Sequence, residues 1–159
     1  TRPQNTMALH TAVGTDLQRL RDLTQAAATS PSHDALQLLT QALELVEGPP
    51  FDATGYDWAI SDQLVCEAEH LIERAAATAA ELALESGDTA AARWAVTQGL
   101  RALPGDEILY RVRMRIELTA GNTTGARRAL EELVSHLEDY GEEPSEKTTA
   151  LLPRATNSS

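Results

Sequence analysis

The amino-acid sequence predicts an all-α fold built from antiparallel helix hairpins that stack against one another. The turn sequence Gly87-Asp88 recurs as Gly121-Asn122, at an offset of 34 residues. Apolar residues at three- and four-residue spacing flank both copies, as expected of amphipathic helices. No stretch of strand length combines alternating apolar and polar residues with enrichment in β-branched residues. These observations together indicate a helical repeat rather than a sheet.

The spacing of the two turns is the period of tetratricopeptide-type repeats, in which each repeat is one helix hairpin. Further residues match at the same offset of 34: Ala92 with Ala126, Leu84 with Leu118, Leu82 with Ile116, and Leu100 with Val134. Each hairpin needs its neighbours to bury its apolar face. We therefore expect a tetratricopeptide-like, right-handed stack of about seven helices.

Two helices are predicted before the first copy of the repeat. Apolar residues recur at helical spacing from Leu9 onward and predict a first helix that ends near Ala28. Ser30-Pro31 interrupts that pattern, and Ser32 is a suitable N-cap for a second helix. A Gly-Pro-Pro sequence at residues 48–50 ends the second helix, because proline cannot continue one.

The longest predicted helix begins at Ser61 or Asp62 and ends at Gly87, a residue type that commonly closes helices. Breakers and caps at similar positions predict four more helices: residues 89–103, residues 106–120, a helix from the Asn122 cap to Gly141, and a short helix at residues 145–152.

A chain of 159 residues can bury one continuous core without metals or disulfides. We therefore interpret residues 1–155 as a single helical-repeat domain and residues 156–159 as a frayed tail. The chain begins with Thr1 rather than Met, which suggests a piece of a longer protein whose other parts carry further activity.

The charge balance disfavours direct binding to nucleic acid. Thirteen basic and twenty-four acidic residues give a formal net charge of −11, and a phosphate backbone repels such a surface. The densest basic segment contains Arg111, Arg113 and Arg115, but alternate residues of a helix point in different directions. We expect these arginines to lie mostly on solvated surface.

Cysteine use and hydropathy indicate a cytoplasmic location. Cys66 is the only cysteine, so no internal disulfide forms and nothing indicates an oxidising compartment. The longest apolar stretches, such as residues 75–80, are far shorter than the roughly 20 residues of a membrane span. We expect no membrane insertion by this chain, with the domain on the cytoplasmic side if its parent protein is membrane-associated.

Five segments in order resemble the bacterial transcriptional activator domain, the all-helical module that follows the DNA-binding domain in actinobacterial regulators of the antibiotic-regulatory-protein class. They are residues 41–51 (QALELVEGPPF), Trp58, residues 80–83 (AELA), residues 104–110 (PGDEILY) and residues 141–145 (GEEPS). The resemblance implies a tetratricopeptide-like regulatory domain without enzymatic activity. It also implies dimerisation, or contacts with other regulators and the transcription machinery.

The resemblance has two further features. No winged-helix region precedes the module in this sequence, so DNA binding is not carried over from the family. Residues 55–58 (GYDW) and 94–100 (WAVTQGL) look more like a variant found at the C-terminus of actinobacterial membrane proteins that carry peptidoglycan-binding LysM modules.

No set of residues predicts a catalytic, cofactor or metal site. Cys66 and His70 lie four residues apart on one helix, but no further ligand pattern completes a metal site, so a half-buried helix seam is favoured. The four histidines lack a nucleophile elbow or an oxyanion loop beside them. Residues 121–125 lack the Lys-Ser/Thr ending of a phosphate loop and are interpreted as a hairpin turn.

The residues predicted to contact a protein partner lie on the inner surface of the stack. Counting from the two turns places Arg74 and Glu81 of one repeat beside Arg111, Arg115 and Thr119 of the next. A partner protein or a second copy, as in a homodimer, is expected there. A solvated charged helix face remains the competing interpretation.

Aromatic residues supply the other candidate contacts. Residues 47–59 form a connector that contains Tyr56 and Trp58 in an otherwise aromatic-poor chain, and both are candidates for partner binding. Trp94 and Tyr110 are expected in the core instead. Two alternative functions stay open from the sequence: direct DNA binding as a transcriptional regulator, and ligand sensing or hydrolysis in a pocket between helices.

Overall fold

The computed structural model describes the backbone of residues 5–48 and 58–152, and the side chains of residues 16–48 and 62–152. These described ranges contain no strand and form seven helices: α1 (Asn5–Ala28), α2 (Ser32–Glu44), α3 (Trp58–Glu85), α4 (Thr89–Ala102), α5 (Glu107–Thr119), α6 (Thr123–Glu138) and α7 (Glu146–Thr149). The predicted all-α class is confirmed. None of the helices in these ranges combines the length and the hydropathy needed to cross a membrane.

The first six helices form three consecutive hairpins. Helix α1 packs on α2, α3 on α4, and α5 on α6, while α2 packs on α3 and α4 on α5. The first helices of the hairpins also contact one another, α1 with α3 and α3 with α5. We call the solvent-exposed side of α1, α3 and α5 the inner face.

The two predicted hairpin turns have the same backbone hydrogen bonds. Gly87 and Gly121 adopt φ values of 80° and 73°, in the left-handed region that favours glycine. The next amide closes each helix, with Asp88 N donating to Ala83 O at 2.8 Å and Asn122 N donating to Glu117 O at 2.8 Å. The Asp88 and Asn122 side chains then cap α4 and α6 by accepting hydrogen bonds from backbone amides. The repeated sequence therefore forms the same turn twice, with the same glycine conformation, closing hydrogen bond and side-chain cap.

Several predicted helix boundaries were wrong. Ser32 is the first residue of α2 rather than its cap, because Pro31 holds the N-cap position and no side chain caps the helix. Helix α3 begins at Trp58, earlier than Ser61 or Asp62, since nothing in residues 58–60 opposes helix. The predicted short helix at 145–152 is confined to α7. Tyr56, most of the predicted connector and the tail at 156–159 lie outside the described residues.

Small side chains line the contact between α3 and α4. Ala80 of α3 and Ala92 of α4 are both fully buried. Gly99 of α4 allows the closest approach, because a Cβ atom placed there would lie 2.6 Å from the Ala76 Cβ and 2.8 Å from the Leu109 Cδ1. The absence of a side chain at Gly99 therefore lets α4 pack closely against Ala76 of α3 and Leu109 of α5.

The two ring residues expected in the core behave differently. Tyr110 is only 4% exposed and packs with Met114 against α6, as predicted. Trp94 is 38% exposed, so its predicted burial was wrong. The reason is helical phase, because the buried face of α4 passes through Ala92 and Val96, and Trp94 lies midway between them on the opposite side.

A buried glutamate joins the last three long helices. Glu117 of α5 is 8% exposed and accepts hydrogen bonds from Arg93 of α4, at 2.7 and 3.0 Å, and from the Asn122 side chain at 2.6 Å. The hydrogen bonds from Arg93 and Asn122 outweigh burial and lower the pKa of Glu117. Among the described residues, no buried side-chain polar atom lacks a hydrogen-bond partner.

Replacing Gly99 by alanine is expected to destabilise the fold, although alanine favours helix by about 1 kcal/mol. The new methyl group would collide with Ala76 and Leu109, and overpacking of this kind costs about 1 to 3 kcal/mol. Urea unfolding followed by circular dichroism measures the effect. Thr97→Ala at an exposed position of α4 is the matched control and should change stability by less than about 0.5 kcal/mol. A Gly99→Ala variant more stable than the parent would contradict the close approach.

The Glu117 interactions predict a pH-dependent stability difference. Because the folded pKa of Glu117 is depressed, its contribution is present above the unfolded value of about 4.3 and is lost as the pH falls through the folded value. Glu117→Gln should therefore lower the free energy of unfolding by about 1 to 2 kcal/mol at neutral pH. The gap should narrow as the pH falls below the unfolded value of about 4.3 and through the lower folded value. Exposed Glu131→Gln serves as control, and a gap that stays constant with pH would refute the assignment.

Candidate functional site

The predicted contact residues of α3 and α5 follow one exposed stripe on each helix. Helix α3 buries an alanine-rich side that includes Ala68, Ala76 and Ala80, which leaves Arg74 and Glu81 exposed on the opposite side. On α5, Arg115 and Thr119 are exposed and Arg111 is half-buried. Helical periodicity therefore places all five predicted residues of these helices on the inner face. Trp58 begins α3, but its side chain lies outside the described ones.

The structure brings two of the predicted residues together. The Arg115 Nη2 atom of α5 donates to the Glu81 Oε1 atom of α3 at 3.0 Å. Both side chains remain about half exposed, at 50% and 54%. The pair joins neighbouring hairpins across the inner face and stays accessible to a partner.

A second ion pair joins α1 to α3 on the same face. Arg21 of α1 makes two hydrogen bonds to the carboxylate of Glu67 of α3, one of them from Nη2 to Oε2 at 2.7 Å. The hydrogen bonds from Arg21 lower the pKa of Glu67, and those same bonds raise the pKa of Arg21. Sequence reasoning missed this pair, because the two residues are 46 positions apart and do not match the repeat period.

A third set of charges lies between α3 and the start of α5. Burial raises the pKa of Glu73, the nearby Asp106 carboxylate raises it further, and His70 and Arg111 oppose the rise. Asp106 is also the N-cap of α5 and accepts a hydrogen bond from Leu109 N at 2.9 Å. The predicted residue Arg111 thus lies in a mixed-charge environment rather than in a basic strip.

A groove lies between α1, α2 and α3, at the level of the first hairpin turn. Its volume is about 450 Å³, and its lining combines small apolar side chains with polar ones: Arg21, Thr24, Gln25, Ala27, Ala28, Ala35, Leu39, Leu71, Arg74, Ala75 and Thr78. Arg74, predicted as a partner contact, lines this groove. The groove itself was not predicted, because it depends on where α1 ends relative to the longer α3.

Among the described side chains, the residues considered for other chemistry do not assemble into a site. Cys66 and His70 are both exposed, so the predicted half-buried seam was wrong; their side of α3 faces solvent on the inner face. Within the ranges that the structure describes, no group of three or more His, Cys, Asp or Glu residues is placed to hold a metal ion. The arrangement of the inner face is suited to contacts through charge and hydrogen bonds.

Comparison with known proteins identifies one family. The family described as Bacterial transcriptional activator domain matches residues 15–154 of the chain. The match covers α2 to α7 and the second half of α1, and it includes every predicted contact residue. Neither the curated proteins nor the solved structures give a match. The resemblance inferred from the sequence is confirmed at the level of this family.

The ion pair between α3 and α5 should contribute little to stability. Because both side chains are half exposed, Arg115→Glu is expected to lower the free energy of unfolding by less than about 1 kcal/mol. Adding Glu81→Arg restores an attractive pair with reversed polarity and should recover the loss. A double-mutant cycle in urea measures the coupling, and a loss above about 3 kcal/mol for the single variant would show a structural rather than a surface role.

Proposed function

Because the chain belongs to the bacterial transcriptional activator domain family, we propose that it is a non-catalytic regulatory module that docks another protein on its inner face. Family membership supplies the regulatory role. The stack of helix hairpins and the charged inner face support the docking role. In this proposal the module works within a larger protein and on the cytoplasmic side.

The observation that carries the proposal is the row of partly or fully exposed charged residues that crosses from one hairpin to the next. Arg21 and Glu67 lie between α1 and α3, and Glu81 and Arg115 lie between α3 and α5. Since these helices pack directly on one another, the row spans three hairpins without interruption by another helix. A surface that extends over several repeats is the part that repeat proteins commonly use for binding.

The energetics of these ion pairs favour recognition over stabilisation. Exposed pairs typically contribute only about 0 to 1 kcal/mol, because water and salt screen them. A partner can therefore replace one member of a pair without unfolding the module. The buried alanines of α3 and α4 fix the helix positions, so the charged groups are presented in a preorganised arrangement.

The charge balance indicates the chemistry of the partner. The chain has a net charge of −11, so most of its surface favours a partner that carries basic patches. The arginines of the inner face add local sites for carboxylates within this acidic surface. Direct binding to DNA is not part of the proposal, because the acidic excess opposes contact with phosphates.

Photo-crosslinking in the full-length protein tests the proposed docking face. A benzophenone amino acid at Thr119, which is exposed on the inner face, should give a covalent adduct with another protein in cells. The same residue at Thr97, exposed on α4 away from this face, should give little. Equal adducts at the two positions would contradict a specific docking face.

The charge-reversal variant Arg111→Glu/Arg115→Glu should reduce the Thr119 adduct severalfold without loss of helicity by circular dichroism. Arg127→Glu/Arg128→Glu makes the same change in net charge at exposed positions of α6 and is the matched control. An adduct that is unchanged by the first variant would remove Arg111 and Arg115 from the docking site. An equal loss in both variants would assign the effect to net charge alone.

A further inference from the structure

The groove between α1, α2 and α3 offers a positive charge that is unpaired among the described residues, although the chain as a whole is acidic. Its lining includes two arginines, Arg21 and Arg74, and no carboxylate among the described residues. Arg21 is bound to Glu67, whereas Arg74 forms no ion pair with any described residue. An occupant should therefore bring a carboxylate to Arg74.

The apolar part of the lining indicates which other group the occupant should carry besides a carboxylate. Ala28, Ala35, Leu39 and Ala75 provide a floor of small and apolar side chains between the three helices. Such a floor can accept one large apolar side chain, and an aromatic ring gains the most from burial there. The complementary ligand is an exposed ring with acidic residues beside it.

The opposite end of the same chain carries a segment of this description. Residues 138–143 begin at the last residue of α6 and hold Tyr140, which is 82% exposed, among four exposed acidic residues: Glu138, Asp139, Glu142 and Glu143. We call these six residues the acidic tip. No other large hydrophobic side chain among the described residues is as exposed as Tyr140.

The acidic tip has a fixed backbone rather than a loose one. Gly141 adopts a φ of 71°, and its amide donates to Glu138 O at 3.0 Å. The Glu142 amide donates to Leu137 O at 3.0 Å, which closes the end of α6 in the same way as the two hairpin turns. The tip is thus presented with little remaining backbone entropy to lose on binding.

We propose that the groove of one molecule binds the acidic tip of a second copy, in a head-to-tail contact. The Tyr140 ring of one copy lies on the apolar floor of the other, and the acidic residues beside it pair with Arg74. The groove is lined by α1, α2 and α3, and the tip stands at the end of α6, with α4, α5 and most of α6 between them along the chain. The two surfaces are different, so an assembly that does not close keeps a free groove at one end and a free tip at the other.

This inference extends the proposed docking role to self-association and rests on charge complementarity. Contacts between oppositely charged exposed groups weaken as salt rises, because the Debye length falls from about 10 Å at 0.1 M to about 3 Å at 1 M. Self-association should accordingly decrease with added NaCl. An association that depended on apolar burial alone would not decrease.

Analytical ultracentrifugation of the 159-residue chain tests the contact. The chain should associate with rising concentration, and Arg74→Glu and Tyr140→Ala should each weaken the association at least about tenfold. An equimolar mixture of these two variants should form a one-to-one dimer, because the first keeps an intact tip and the second an intact groove. Arg128→Glu, exposed on α6, is the control and should associate like the parent chain.

Three results would overturn the proposal. The parent chain could stay monomeric over the whole concentration range, the two variants could associate as well as the parent, or their mixture could stay monomeric. The last result would mean that groove and tip do not bind each other. A Thr119 photo-crosslink to another protein is independent of these outcomes, so failure of self-association alone leaves the docking role of the inner face standing.

Discussion

The close contact between α3 and α4 determines the geometry of the rest of the molecule. Both neighbouring hairpins pack against these two helices, and their buried faces are rich in alanine and include Gly99. Small side chains let the helix axes approach, and close packing of this kind leaves little freedom to rotate. Once α3 is fixed in rotation, Arg74 and Glu81 must face solvent on the side shared with α1 and α5.

The turns were predictable because their chemistry is local. A glycine in the left-handed region ends one helix, and the capping Asp or Asn that follows it begins the next. The start of α3 was not predicted correctly, since no local signal opposes helix at residues 58–60. The exposure of Trp94 was missed because the size of a ring does not decide which side of the helix it lies on. Phase is set by the whole buried face of α4, which the small residues define.

For the candidate site, the sequence predicted which side of the helices it occupies but not the contacts within it. Periodicity assigned five residues of α3 and α5 to one side, and the structure places them there. The pairing of Glu81 with Arg115 had a signal that was not used: opposite charges separated by the repeat period occupy equivalent positions on adjacent hairpins. The Arg21–Glu67 pair and the groove had no such signal, because the segment between α1 and α3 differs in length from the repeat.

Stability and recognition use different parts of this molecule. Glu117, which joins three helices, is buried and hydrogen-bonded to Arg93 and Asn122, whereas the Glu81–Arg115 pair of the inner face is exposed. Exposed charges contribute little to folding and cost little to exchange, so selection on binding can alter them without loss of the fold. Because the core is alanine-rich and closely packed, the surface can change its partner preference while the scaffold that presents it stays the same.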